Sequence, residues 1–408
     1  MGNEMQQRRP AGDRRSGIEL GTLFGITVVL DWSLLIIAFL VAAAVALGPM
    51  AQWHEDWSTG LRWLVGAGAA VLLFASILVH EFSHALMARR FGTPVQRITL
   101  FIFGGMAHME EEARHWRAEL LIALVGPVTS LVLGFLLLSA SGLLFDPEQL
   151  LGNDPEQILG SLGPLASLLL WAGNINIILA VFNMVPAYPL DGGRVLCGLL
   201  WGFTGDKALA TRWSAFGGRL FGSLLMALGI AMVLGIQIPF FGTGFVGGLW
   251  LVFIGWFLSR AALLSYQSEA ARGALAKVRV GDIMRREFDT LAPALGLDEV
   301  VEQHLLARGT RAWPVLENER LLGLLTFDDL RRVGREQWPS TQVREIMVDS
   351  AALVTIGPDE AGFQALAALS QHAINQMPVL DNGRLVGMVH REDILRWLEL
   401  YGRQQLAA

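Results

Sequence analysis

The chain has 408 residues, of which 53% are hydrophobic and 17% charged, with 31 lysines and arginines against 37 aspartates and glutamates. A charged share below the roughly one quarter of soluble domains, together with a mean hydropathy of +0.46, excludes an ordinary soluble protein and describes a membrane protein with a smaller soluble part. The formal net charge of -6 and the lack of a basic stripe give no reason to expect a nucleic-acid partner, and the single Cys197 excludes an intrachain disulfide.

Residues 1–19 hold Arg8, Arg9, Arg14 and Arg15 with Pro10 and Gly12, and read as a disordered tail. No small-residue cleavage site follows the first apolar run, which is long enough to span, so it is not read as a removable signal peptide. Six spans are expected at about 23–47, 61–87, 118–144, 165–183, 216–238 and 245–264. Asp31 lies near the start of the first, beside Trp32, and belongs at an interface or in the protein interior. Gly217-Gly218-Arg219 and Pro239 blur the ends of the last two. Acidic connections with Glu55 and Asp56, then Asp146, Glu148, Asp154 and Glu156, alternate with basic ones. The basic ones hold Arg89, Arg90, Arg97, Arg114 and Arg117, then Arg194, Lys207 and Arg212. By the positive-inside rule both termini of this multi-pass cell-membrane protein are cytoplasmic.

The second span carries the chemistry. No charged residue occurs from Trp63 to Val79, and His80-Glu81-Phe82-Ser83-His84 follows at once. Residues four apart share a helix face, so His80 and His84 can offer two imidazoles to one zinc ion with Glu81 beside it as a general base. At about 1.5 Å per residue His80 lies roughly 26 Å along the apolar run, just inside a hydrocarbon core about 30 Å thick. An ionisable cluster at that depth is costly and reads as functional. Beyond this span, Ile98 to Phe103 is β-branched and aromatic and runs into Gly104-Gly105, which suits either an extended segment or hairpin dipping toward the bilayer or a plain loop. His108 follows in what reads as a turn, where a histidine is usually a surface residue.

A catalytic zinc normally has three protein ligands and an open position. The fourth span ends in Asn183, Pro186, Pro189 and Asp191-Gly192-Gly193. The two prolines break the helix, so Asp191 sits on a turn, and by parity of the spans it lies at the same leaflet as His80. Asp191 can complete the metal site, or it can simply cap a helix that starts near Val195.

Together these residues resemble the site-2 protease family of intramembrane zinc metalloproteases, over about residues 20–265 of a transmembrane domain expected at 20–268. The resemblance implies that His80, His84 and Asp191 bind one Zn²⁺ per chain, that Glu81 activates the water, and that Asn183 contacts the substrate near the reacting carbonyl. It also implies that the Gly104-Gly105 segment pairs with the substrate backbone.

From Lys277 onward the chain becomes charge-rich and repeats itself. Asp282-Ile283-Met284 recurs as Glu345-Ile346-Met347, Pro314-Val315 as Pro378-Val379, Gly323 as Gly387 and Asp329-Leu330 as Asp393-Ile394, with the same spacing from Pro to Gly and from Pro to Asp. Two copies of one α/β unit follow, at 277–335 and 341–400. The pattern resembles a tandem cystathionine-β-synthase (CBS) module. That resemblance implies pairing of the copies, homo-oligomerisation, and adenine nucleotide (ATP, ADP or AMP) in the cleft. Thr326 and Asp329 keep the hydroxyl and carboxylate that would hold ribose, whereas His390 replaces the hydroxyl before Asp393, so one nucleotide site is expected rather than two.

The expected fold is therefore a polytopic α-helical membrane protein of about six transmembrane helices followed by a soluble α/β tandem CBS module. The expected function is an intramembrane zinc endopeptidase acting on a membrane-anchored protein. The alternative is a CBS-regulated ion channel or transporter that uses the intramembrane His, Glu and Asp as an ion path.

Overall fold

A computed structural model of the chain describes residues 17–101, 104–109, 113, 115–145, 155–239, 242–306 and 311–402. They form two compact units that divide between Gln267 and Ser268.

The first unit opens with a hairpin. Strand β1 (Gly17–Leu23) pairs antiparallel with β2 (Ile26–Asp31) around Phe24 and Gly25, both at positive φ. This corrects two expectations. Residues 17–19 belong to a strand rather than to the tail, and the first span starts at Ser33 instead of near residue 23. The alternation in Ile26-Thr27-Val28, with Ile26 and Val28 buried, is the period of a strand. The tail's remaining residues, 1–16, lie outside the described residues. Asp31 ends the hairpin and accepts a hydrogen bond from Ser33 N at 2.9 Å.

Helices α1 (Ser33–Leu47) and α2 (Pro49–Trp53) lead to α3 (Thr59–Arg90). Ser58 starts α3 by accepting from Leu61 N, and Arg89 and Arg90 stand in its last turn, where the helix dipole favours cations. Strands β3 (Val95–Phe101) and β4 (Gly104–Met109) form a second hairpin. The segment around Gly104-Gly105 is thus extended and paired, and not a plain loop. Because β2 and β3 pair in parallel, the two hairpins make one sheet in the order β1-β2-β3-β4, with β4 at its margin. Ile26, Val28, Ile98 and Leu100 pack it on Phe82 and Ala85 of α3.

The remaining helices are α4 (Trp116–Gly142), α5 (Pro155–Gly160), α6 (Pro164–Asn183), α7 (Asp191–Thr204), α8 (Lys207–Val233) and α9 (Phe245–Ala276). Six helical stretches among the described residues are long and apolar enough to cross a membrane: Ser33–Trp53, Thr59–Arg90, Trp116–Gly142, Pro164–Asn183, Lys207–Val233 and Phe245–Ala276. Gly217-Gly218-Arg219 does not interrupt α8. Gly218 lies against Ala262, and packing of this kind overrides the low helix propensity of glycine. Helix α7 starts at Asp191, four residues ahead of the start near Val195 that the capping alternative gave, and so places Arg194 on a helix.

The second unit contains two hairpins in equivalent register. In β5 (Ala312–Glu317) and β6 (Arg320–Thr326), Val315 faces Gly323, and β6 also pairs with the short β7 (Val348–Asp349). In β8 (Gln376–Asp381) and β9 (Arg384–His390), Val379 faces Gly387. The repeats exchange their leading segments. Val280 and Ile283, which precede the first hairpin, are buried in the core of the second with Ala365, Leu369 and Met377. Val343, which precedes the second, is buried in the core of the first with Leu291, Val300 and Trp313. Glycine is needed at the two crossings, because a Cβ at Gly387 would stand 2.5 Å from Met284 Sδ and one at Gly323 would stand 2.9 Å from Met347 Sδ.

Candidate metal centre

His80 and His84 occupy successive turns of α3 and are both buried, with ring centroids 4.7 Å apart. Helix α4 holds the far side of each ring. His84 Nδ1 donates to the carbonyl of Ile122 at 2.6 Å, and His80 Nδ1 stands 2.8 Å from Ser130 Oγ. A carbonyl can only accept, so the proton of His84 is on Nδ1 and the lone pair is on Nε2. A bond donated by His80 to Ser130 leaves Nε2 equally free. Anchors of this kind fix both the tautomer and the orientation of a metal-binding imidazole.

Asp191 is the first residue of α7, and Leu190 precedes it in extended conformation with no side-chain cap. Its carboxylate does not cap the helix. Instead Oδ2 lies 3.1 Å from His80 Nε2 and 3.3 Å from His84 Nε2, while the two Nε2 atoms are 3.0 Å apart. These three residues are the cluster of potential metal donors found among the described residues.

The donor chemistry fits a cation. With the proton of each ring on Nδ1, two imidazole lone pairs and a carboxylate oxygen converge on one point, an arrangement that is repulsive unless something positive stands among them. A tetrahedral zinc with bonds of about 2.0 to 2.2 Å would hold its donors about 3.3 to 3.6 Å apart, within a few tenths of an ångström of the observed spacing.

Two glycines let neighbouring backbone approach this cluster. A Cβ at Gly126 of α4 would fall 2.1 Å from His84 Nε2 and 2.7 Å from His80 Nε2. A Cβ at Gly105 of β4 would fall 2.4 Å from Glu81 Cγ and 3.1 Å from its Oε1. Glu81 therefore lies under the marginal strand, half-buried, and its carboxylate makes no hydrogen bond to the protein among the described residues.

A further ion pair ties α7 to α4, with Arg194 Nε donating to the buried Glu119 at 2.8 Å. Because α7 begins at Asp191, this pair braces the helix that carries the carboxylate. Gly126, Ser130, Glu119 and Arg194 are functional neighbours that the sequence reading did not single out. The available signal was Gly126-Pro127 inside an apolar run, since a proline withholds an amide from its turn and so marks a helix distorted on purpose. Asn183 closes α6, half-buried and outside the donor cluster. His108 lies on β4 opposite Arg97, and its side chain is outside what the structure describes.

In the second unit Thr326 and Asp329 cap one another. Thr326 Oγ1 donates to Asp329 Oδ2 at 2.6 Å, and Asp329 N lies 3.4 Å from Thr326 Oγ1. Asp393 is engaged differently, because Arg285 donates to both of its oxygens at 2.7 Å. Burial and the neighbouring Arg285 guanidinium push the adjacent His390 imidazole below its ordinary pKa.

The profile of peptidase family M50 matches residues 68–228, and that of the CBS domain matches residues 280–336 and 343–400. A Mycobacterium tuberculosis protein named "Putative zinc metalloprotease Rip3" is 31% identical over 95% of this chain and 94% of its own length. A Synechocystis protein named "Putative zinc metalloprotease sll0528" is 30% identical over 94% of this chain and 96% of its own. Among solved structures, a site-2 protease from Methanocaldococcus jannaschii aligns at 24% identity with a TM-score of 0.40, over 61% of this chain and 95% of that one.

Proposed function

Because the chain belongs to peptidase family M50, the site-2 proteases, with tandem CBS domains at its C-terminal end, we propose that it hydrolyses a peptide bond within or beside a transmembrane segment of a membrane-anchored protein. It is a multi-pass membrane zinc metalloprotease. With whole-length relatives of that name, the channel or transporter alternative is not carried forward.

The observation that supports intramembrane cleavage most directly is the convergence of His80 and His84, on the candidate span α3, with Asp191 at the start of α7, and with Glu81 beside them. His80 and His84 would present Nε2 and Asp191 a carboxylate oxygen to one zinc ion. Zinc bound there supplies a Lewis acid for the scissile carbonyl and lowers the pKa of water toward neutrality. Glu81 takes the proton of the attacking water on a carboxylate oxygen and delivers it to the leaving amine nitrogen as the carbon–nitrogen bond breaks. Helical peptide bonds are shielded, so the substrate must unwind, and its freed amides and carbonyls need partners in the bilayer. The margin of β4 beside Glu81 offers them by strand addition. Asn183, at the end of α6, is assigned to the substrate near its reacting carbonyl.

Quantitative proteomics of membrane fractions from cells carrying wild type or Glu81→Gln tests this reading. Membrane-anchored proteins should accumulate uncut in the variant, with the missing cleavage sites within or next to a transmembrane segment. A set of accumulating proteins with no transmembrane segment would overturn it.

Both termini are assigned to the cytoplasm from the distribution of arginine between the connections. The native thiol of Cys197 is buried, so it gives little background. A cysteine at Gln52 is expected to react with an impermeant maleimide in intact cells, and one at Gln371 only after permeabilisation. Labelling of Gln371→Cys from outside would reverse the topology.

The CBS pair is assigned one adenine nucleotide per chain, at Thr326 and Asp329, and a role in homo-oligomerisation. The second copy lacks the hydroxyl and has both Asp393 oxygens bound to Arg285. Calorimetry on the purified full-length protein with ATP, ADP and AMP should fit one site. Asp329→Ala should weaken it by roughly five- to a hundredfold through unpaired ribose hydroxyls. Unchanged affinity in that variant, or no heat with any nucleotide, would leave the module a dimerising element.

A further inference from the structure

At the end of α8 where it begins, a cavity of about 610 Å³ opens between α8 and the second half of α9. Arg212, Trp213, Phe216 and Arg219 line it from α8, and Leu263 and Tyr266 from α9. The α8 residues fall on one helical face, because separations of three, four and seven return to the same side. Trp213 and Phe216 meet edge to face at 6.0 Å and are each 55% exposed. The two helices are held together here by small residues. Gly222 lies against Ser259, whose Oγ donates to the Arg219 carbonyl at 3.3 Å.

Depth and charge identify the occupant. Counting about 1.5 Å per residue from Phe245, Leu263 lies roughly 27 Å into α9, close to the far boundary of a hydrocarbon core about 30 Å thick. Among six spans α3 and α9 run in the same direction, so this is the leaflet of the metal centre. Side chains on a helix lean toward its N-terminus, which for α8 is the headgroup side. The Arg219 side chain can therefore extend toward the turn that carries Arg212, and because the two residues are about 10 Å apart along the helix backbone their guanidinium groups can reach one headgroup. Neither makes an ion pair among the described residues. Two unpaired cations at the edge of a low-dielectric slab are costly, and the available anion there is a lipid phosphate. Arginine matches phosphate geometry through paired donors, while tryptophan and tyrosine suit the interface and Phe216 and Leu263 suit an acyl chain.

We propose that this cavity binds one anionic glycerophospholipid, with its phosphate between Arg212 and Arg219 and an acyl chain along Phe216 and Leu263. Full-length protein, delipidated in mild neutral detergent and returned to nanodiscs of equal phosphatidylglycerol and phosphatidylcholine, can be assayed by native mass spectrometry for tightly retained lipid. Wild type should retain phosphatidylglycerol over phosphatidylcholine by roughly tenfold or more, given the attraction contributed by each interfacial arginine. The double variant Arg212→Gln/Arg219→Gln should lose the preference. Arg212→Lys/Arg219→Lys, which keeps the charge, should retain a reduced one and guards against a loss caused by misfolding. Arg260→Gln, on α9 outside the cavity, should match wild type. Undiminished retention in the double glutamine variant would overturn the proposal. An equal loss in Arg260→Gln would overturn it as well, by assigning the effect to general surface charge. So would displacement of the lipid by an acidic membrane-flanking peptide, which would assign the cavity to a protein segment.

Discussion

Purified Glu81→Gln protein is expected to carry zinc at wild-type stoichiometry and to hydrolyse substrate at least about a hundredfold more slowly, with the loss extending toward ten-thousandfold, the range for removal of a general base. Glutamine has the shape of glutamate but cannot take the proton of the attacking water. The substitution should not disturb folding, because the Glu81 carboxylate makes no hydrogen bond among the described residues and the space beside it is the one left open by Gly105. His80, His84 and Asp191 keep their anchors, so metal analysis separates loss of the base from loss of the site. Turnover near the wild-type rate by zinc-loaded Glu81→Gln would remove Glu81 from the mechanism.

Gly126→Ala is expected to fail in the opposite way, by losing the metal. The added Cβ would stand 2.1 Å from one imidazole nitrogen and 2.7 Å from the other, where no carbon can remain, so either α4 retreats or the rings turn away. Retreat of α4 also withdraws the Ile122 carbonyl and Ser130, and loss of such outer partners alone costs about ten- to a hundredfold in metal affinity. Zinc affinity, measured by competition with a chelator, should fall by at least that factor, and activity at limiting zinc with it. Gly142→Ala on the same helix is the control, since its Cβ would meet only Phe145 at 4.0 Å. It should keep zinc and fold as wild type does, because it stands in the last turn of α4 away from the donor cluster. Unchanged zinc affinity in Gly126→Ala would mean that the metal lies elsewhere.

The contrast between these two variants shows what was legible in the sequence. His80, Glu81 and His84 are visible because one helical period brings them together and because their chemistry is foreign to an apolar run. Asp191 is visible through the prolines before it and the parity of the spans, although its place as the first residue of α7 rather than on a turn is not. Gly126 is invisible for a physical reason. It contributes an absence of atoms, and that matters only once α4 and α3 have been packed. Glu119 and Arg194 are hidden likewise, because each looks like an ordinary interfacial charge until the fold pairs them. The first span shows the opposite case, in which apolar content masks the period. Ile26 and Val28 alternate as strand residues do, and Phe24-Gly25 marks the turn, but the run continues without a break into α1.

The reciprocal packing of the two repeats in the second unit has a consequence for how that unit is made. Val280 and Ile283 leave the ribosome well before Ala365, Leu369 and Met377, the residues that bury them, and Trp313 and Val315 must wait for Val343. Neither copy can close its interior during synthesis from its own residues alone. The pair should therefore acquire protease resistance in one step, late in translation, and melt as a single cooperative transition. A chain cut between the copies should yield two fragments that are each soluble only when mixed.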